Sequence, residues 1–462
     1  MVSWLRNLTY TGIAVGASWS GAVWRWRATN RMPDTADIVL WLLVLPLAVL
    51  LAAWGGRALY RRATAAPAAA ASAPEAAAAA APVPAPALPP LAIVASALRV
   101  PHGGSASELA AALASGEARP QLDTELVDDY GYPVLAARVD GVDVDAARAA
   151  MGPSGAAAGF GDEHWRAVAL GGAVAAELAD WLAAHPRIPE HAARIDARAP
   201  SPLPLLELHV AWPQDFTAAQ RTAGGAWYRD LLAASGWPAE RIAIAPEPDH
   251  GDTNGLPPSL LARAGQPLVA VVLACGSQLG SATVDAMAVA GKLLTARQPQ
   301  GLIPGEGACA LLLADATQAA LLAPHEELPA LRALAAGRLG ASADDARRVD
   351  ASELETLCAR ALRDAGCAAD AVALVVADAD ARAGRVMELM GVATAQLPQL
   401  DTAADLLRAG SATGACAPVA WLSALAVGAE GARERRAPVL CIGNLDPFRR
   451  DVAVVAPADF MR

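Results

Sequence analysis

Residues 285–315 read DAMAVAGKLLTARQPQGLIPGEGACALLLAD. A helical pattern covers 281–296, and a loop follows it. The turn Gly305-Glu306-Gly307-Ala308 then opens onto GACALLLA (307–314), an apolar run that predicts a strand buried on both faces. This turn leads into a strand and not into a helix N-terminus, so it is not a phosphate loop. Working outward, similar runs predict strands at LLELHVAW (205–212), RIAIAP (241–246), LVAVVLAC (268–275), AVALVVAD (371–378), APVLCIGN (437–444) and DVAVVAP (451–457). Helical patterns lie between them at 164–185, 218–236, 350–366 and 414–429. The body opens at LAIVASALRV (91–100), followed by a helix over 105–117 with Ser107 as candidate N-cap. Apolar strands alternating with helices predict a layered α/β body.

The chain has 462 residues, enough to bury a sizeable core. It is 55% hydrophobic but only 5% aromatic, so the core must be built from Ala, Leu and Val. The net charge is −11, and no basic tract follows residue 62, which excludes electrostatic nucleic-acid binding by the body. Lys292 is the single lysine, so lysine catalysis is confined to that position. The cysteines are Cys275, Cys309, Cys358, Cys367, Cys416 and Cys441. Their spacing fits no zinc pattern, and they read as buried reduced thiols.

Before the body stand an anchor region (1–62) and an Ala/Pro-rich linker (63–90), which cannot pack a core. From Ile38 about 18 apolar residues run without a charge, predicting a transmembrane helix over 38–55 with Trp41 and Trp54 at its ends. A second apolar segment, 8–24, is interrupted by polar residues and reads equally as a span or as an interfacial stretch. The nearest flank, Arg57, Arg61 and Arg62, puts the body on the cytoplasmic side of an inner membrane. Counting Arg6 with Arg25, Arg27 and Arg31 favours the periplasm instead.

The order of motifs resembles the β-ketoacyl synthases of the thiolase superfamily. The resemblance rests on 91–117, on YPVLAARVDG (132–141), on LLARAGQPLVAVVLACGSQ (260–278) and on the GEGA stretch above. It continues through GSATGACAPVAWLSALA (410–426) and LCIGNLDPFRRDVAVVAP (440–457). It implies that 91–462 forms a thiolase-like fold of two similar βαβ-rich halves, layered α/β/α/β/α and usually dimeric. The framework glycines and turn would be Gly305, Glu306, Gly307, Ala308, Gly410, Gly414 and Gly443.

The family's chemistry uses a Cys nucleophile and two His. The resemblance puts the nucleophile near Pro248, Asp249 and His250, where there is no Cys or Ser. The first histidine falls near Ala377 or Asp378, and the second at Ser411. No histidine follows His325. The chain therefore reads as a pseudoenzyme without cofactor or metal. Asp249, His250, Asp252 and Asn254 crowd one loop but match no calcium or zinc pattern. Asp378 and Asp380, at a strand end, are a candidate carboxylate pair.

These readings lead to a membrane-tethered, non-catalytic interaction or scaffold protein. The resemblance extends to anchored thiolase-like accessory proteins of bacterial type VI secretion, whose components would be its partners. The alternatives are an auxiliary subunit that pairs with an active ketosynthase in acyl or polyketide synthesis, and an acyltransferase with a site rebuilt around Asp249, His250 and Asp378.

Overall fold

The computed structural model describes residues 89–128, 130–194, 201–246, 256, 258–324, 326–345 and 348–458. The expected membrane span at 38–55, the segment 8–24 and nearly all of the linker lie outside them. Strand β1 (Leu91–Arg99) leads into α1 (Ala106–Ser115), the hairpin β2 (Gln121–Val127) and β3 (Pro133–Ala136), then α2 (Val144–Ala158), α3 (Asp162–Ala183) and α4 (Arg187–Ala192). Next come β4 (Leu206–Ala211), α5 (Ala218–Ala233), β5 (Ile242–Ile244), α6 (Pro258–Ala262), β6 (Val269–Ser277), α7 (Ser281–Val289), β7 (Glu306–Ala314) and α8 (Ala316–Leu322). The rest is β8 (Leu328–Arg338), α9 (Ser352–Asp364), β9 (Leu374–Ala377), α10 (Ala383–Gln396), β10 (Leu406–Arg408), α11 (Gly410–Thr413), α12 (Ala417–Arg435), β11 (Val439–Gly443) and β12 (Arg449–Ala458).

Ten strands follow the order β10-β9-β11-β12-β8-β1-β7-β6-β4-β5. The order repeats about the junction of β8 and β1. In the first half β1 pairs antiparallel with β7, β7 antiparallel with β6, and β6, β4 and β5 run parallel. In the second, β8 pairs antiparallel with β12, β12 antiparallel with β11, and β11, β9 and β10 run parallel. Within the sheet the halves are joined by Leu91 opposite Leu331 and Ala92 opposite Ala330.

Alternating side chains split the core into layers. Met151, Val168, Leu178, Tyr228 and Leu232, from α2, α3 and α5, pack on the outer face of the first half. Leu354, Leu357, Leu389 and Val392, from α9 and α10, cover the outer face of the second. Between the halves lie α1, α6 and α12, with Leu109, Leu260 and Trp421 among their buried residues. Helix α12 is apolar almost all round and buried along most of its length, as such a helix must be. Ser105, not Ser107, caps α1, its hydroxyl accepting from the Glu108 amide at 3.2 Å.

The expected fold class needs one correction. The described chain is an α/β fold, and among the described residues no helix is long and apolar enough to cross a membrane. The long buried helix α12 ends in charged residues, and its apolar part is covered by the strands and helices of the core.

Candidate functional site

The framework glycines press two turns together. A Cβ on Gly305 would collide with the Thr413 carbonyl oxygen, and one on Gly410 with the backbone of Asp378 and Ala379. Gly414 adopts φ 62°, which favours glycine, and the Ala415 amide donates to the Ile303 carbonyl at 2.9 Å. The GEGA turn, the start of α11 and the end of β9 are thereby held backbone against backbone. Ser411, half-buried on α11, stands next to Gly410 in this assembly. Asp249 and His250 lie outside the described residues.

Asp378 follows β9 directly and is fully buried. Its Oδ1 accepts from the amides of Asn444 at 2.7 Å and Leu445 at 2.9 Å, while Oδ2 has no donor. Burial pushes its pKa from the ordinary carboxylate value to about 7, against the pull of the two amides, and Asp451 adds to the rise. Gly443 leaves room for both acids. A Cβ there would sit 3.1 Å from the Asp451 Cβ and 3.4 Å from Asp378 Oδ2.

Around Asp378 a set of ion pairs straps three loops together. Arg382 reaches Asp380 through Nε at 2.7 Å, Asp344 through Nη1 at 2.8 Å and the Leu445 carbonyl through Nη2 at 3.0 Å. Arg385 reaches the same Asp344 at 2.6 Å and the same carbonyl at 3.3 Å. Asn444 Nδ2 donates to Glu388 at 3.1 Å, and Glu388 pairs with Arg450 at 2.6 Å. Arg449 grips Asp451 at 2.6 and 2.8 Å. The candidate pair of Asp378 and Asp380 is not a dyad: one carboxylate holds the Asn444 and Leu445 amides and the other holds Arg382. Sequence reading missed this clasp. Its members come from three stretches spread over more than a hundred residues, and the one local sign of it was the bulky, charged loop at 446–450.

Glu306 of the GEGA turn is a structural peg. It has no exposed surface, and it accepts from Arg166 Nε at 2.8 Å, Ser277 Oγ at 3.0 Å and the Val139 amide at 2.9 Å. The cysteines are equally committed to the core. Cys275 on β6 lies 3.5 Å from the Tyr228 hydroxyl, and burial pushes its thiol up to about 12. Cys416, just before α12, is likewise pushed up to about 12. Burial raises Cys309, Cys358 and Cys441 further, and raises half-buried Cys367 as well. The described histidines sit in the first half, each with a local partner such as Asp215 for His164 at 2.8 Å and Glu207 for His209 at 3.0 Å. Among the described residues no group of acids, His and Cys could hold a metal ion.

No protein-family model matches the sequence, and no curated protein matches it. Solved structures do. An ishigamide ketosynthase/chain length factor is 17% identical with a TM-score of 0.53, over 80% of this chain and 100% of that one. An oxazolomycin ketosynthase domain of Streptomyces albus JA3453 is 13% identical with a TM-score of 0.54, over 81% and 75%. A type II polyketide ketosynthase in complex with its acyl-carrier protein is 11% identical with a TM-score of 0.54, over 80% and 100%. The fold resembles that of the ketosynthases.

This corrects the functional expectation. The matched structures are ketosynthases, with no secretion component among these three, and no described helix can span a bilayer. The reading as an inner-membrane, type VI secretion accessory, with secretion components and the membrane as partners, is set aside together with the inner-membrane localisation. It rested on a hydropathy pattern in the first 62 residues, which says nothing about what the ketosynthase-like body binds.

Proposed function

We propose that this chain is a non-catalytic ketosynthase-like subunit that pairs with an active ketosynthase, alongside an acyl-carrier protein, in acyl or polyketide synthesis. The observation that carries the reading is the clasp. Acyl transfer on this fold needs an accessible thiolate and groups that stabilise an oxyanion. At the ends of β9 and β11 this chain has instead Asp378, bound to two amides, and Arg382 and Arg385 closed onto Asp344. Ion pairs among the chain's own side chains at this place support the non-catalytic reading. The similar structures that include a chain length factor and an acyl-carrier protein support the choice of partners.

The body also has an edge suited to pairing. β5 ends the sheet on the first half; Ile244 on it is 43% exposed, and Leu205, just before the neighbouring β4, is 44% exposed. An apolar edge strand is a template for another chain. The rebuilt acyltransferase has less support, because the carboxylate it needs at 378 has no exposed surface and its Oδ1 is held by two backbone amides. The test is co-expression with a ketosynthase encoded beside this chain, followed by sedimentation. A one-to-one complex whose condensing activity falls when this chain is omitted supports the reading. A chain that sediments alone, beside a partner of unchanged activity, refutes it.

A further inference from the structure

The hairpin of β2 and β3, helix α7 and the loop after α7 form a unit of their own in the first half. Leu126, Val134 and Ala136 of the hairpin pack with Leu279, Val284 and Leu293 in a cluster separate from the main core. Arg297 of the loop stands over the Tyr130 ring at 5.2 Å, and its Nη1 donates to the Tyr130 hydroxyl at 2.8 Å. The loop is a narrow ribbon, bridged between Leu293 and Leu302 and between Thr295 and Gln298.

The outside of this unit is apolar. Of the ten large hydrophobic residues exposed among the described ones, five lie here: Leu122, Val127, Tyr130, Tyr132 and Val289. The two tyrosines are 67% and 69% exposed, and Val289 is 84% exposed. Two tyrosines so exposed offer roughly 250 Å² between them. Their three aliphatic neighbours bring the face to the several hundred Å² at which apolar surface marks an interaction site. The turn fixes the tyrosine backbones in advance, which lowers the entropy cost of docking. Asp128 Oδ1 accepts from the Tyr130 and Tyr132 amides at 2.9 Å, and Gly131 takes φ 81°.

Charge decides what covers this face. Residues 121–132 carry Asp123, Glu125, Asp128 and Asp129 and no base, whereas residues 286–305 carry Lys292 and Arg297 and no acid. Asp123 and Glu125 meet Arg138 at 2.7 and 3.3 Å. Among the described residues no acid pairs with Lys292, and Arg297 spends its hydrogen bond on Tyr130. A partner of one sign would be repelled by one of the two segments. A second copy, turned about a two-fold axis, sets the acidic hairpin of each molecule against the basic loop of the other. The net charge of −11 opposes association at a distance, but salt screens it beyond about 8 Å, so the local pairs decide.

We propose that this face is an interface between two copies of the chain, the β2–β3 hairpin of one packing against the loop 290–303 of the other. It involves neither β5 nor the clasp, and it does not depend on pairing with a ketosynthase.

The test uses the single lysine. The full-length chain is treated with a carbodiimide, which joins an amine directly to a carboxylate, and is sedimented untreated over a concentration series. A concentration-dependent dimer is expected, together with a covalent dimer in which Lys292 is linked to an acid of 121–132. Lys292→Arg should lose the covalent dimer and still sediment as the parent does. Tyr132→Ser combined with Val289→Ser changes two exposed positions, so the thermal melt should be preserved while self-association weakens about tenfold or more. Ile244→Ser, on the β5 edge, should associate as the parent does. A chain that stays monomeric over the series, a Lys292 cross-link to acids elsewhere, undiminished association of the double variant, or an equal loss in Ile244→Ser would each overturn the proposal.

Discussion

Replacing Asp378 by Asn should stabilise this protein at neutral and alkaline pH. The carboxyl is fully buried, holds two amides through Oδ1 and has no donor at Oδ2. Its pKa is about 7 in the folded chain, against 3.8 for an ordinary Asp. Between those values the folded state binds the proton that the unfolded state has lost. Stability must therefore fall as pH rises through that window and level off above about 7. The full penalty at pH 8 is on the order of 4 kcal/mol, from about 1.36 kcal/mol per pH unit. The substituted side chain would be neutral throughout. Its carbonyl can keep both amides, and its NH2 takes the place of Oδ2, the oxygen that no donor reaches. Urea unfolding of both proteins at pH 5, 6, 7 and 8 gives the difference directly, because Asp451, Asp123 and Glu207 titrate in both. The stability gain of the variant should be smallest at pH 5 and grow to a few kcal/mol at pH 8. A difference that stays flat with pH, or a variant that loses stability toward pH 8, would refute the reasoning.

Three further outcomes follow from the same contacts. Glu306→Ala should cost about 3 kcal/mol or more, read as a lower urea midpoint, because it strands Arg166 and removes the acceptor for Ser277 and the Val139 amide. Gly410→Ala should lower the melting temperature sharply, since its Cβ has no space against the Asp378 carbonyl, whereas Gly340→Ala, in open surroundings, should not. Thiol labelling of the folded chain at pH 8 should modify Cys367 first and leave Cys275, Cys309, Cys358, Cys416 and Cys441 slow, because burial raises their pKa values and hides them.

The strand positions were legible because fully apolar runs such as 268–275 and 307–314 have one physical use in an α/β body. β8 was not, because LPALRALAAGR is alanine-rich and interrupted by Arg332. α2 was hidden by Gly152 and Pro153, where the helix kinks. The helical pattern over 281–296 overran the real helix. The chain leaves it at Val289, Gly291 takes φ 63°, and Leu293 bridges to Leu302. At the site, the order of motifs pointed to Asp378, which directly follows β9, and to Ser411 on α11, and the backbone of Gly410 lies against that of Asp378. The pairing of Arg382 and Arg385 with Asp344 could not be read. Charges in loops show no periodicity, and the fold alone decides which of them meet.

The most direct test of the central claim is intact mass measurement of the complex of this chain with its ketosynthase after exposure to an acyl thioester. The account predicts an acyl adduct on the partner's cysteine and an unmodified mass for this chain. A stoichiometric acyl adduct on any of this chain's six cysteines would contradict it.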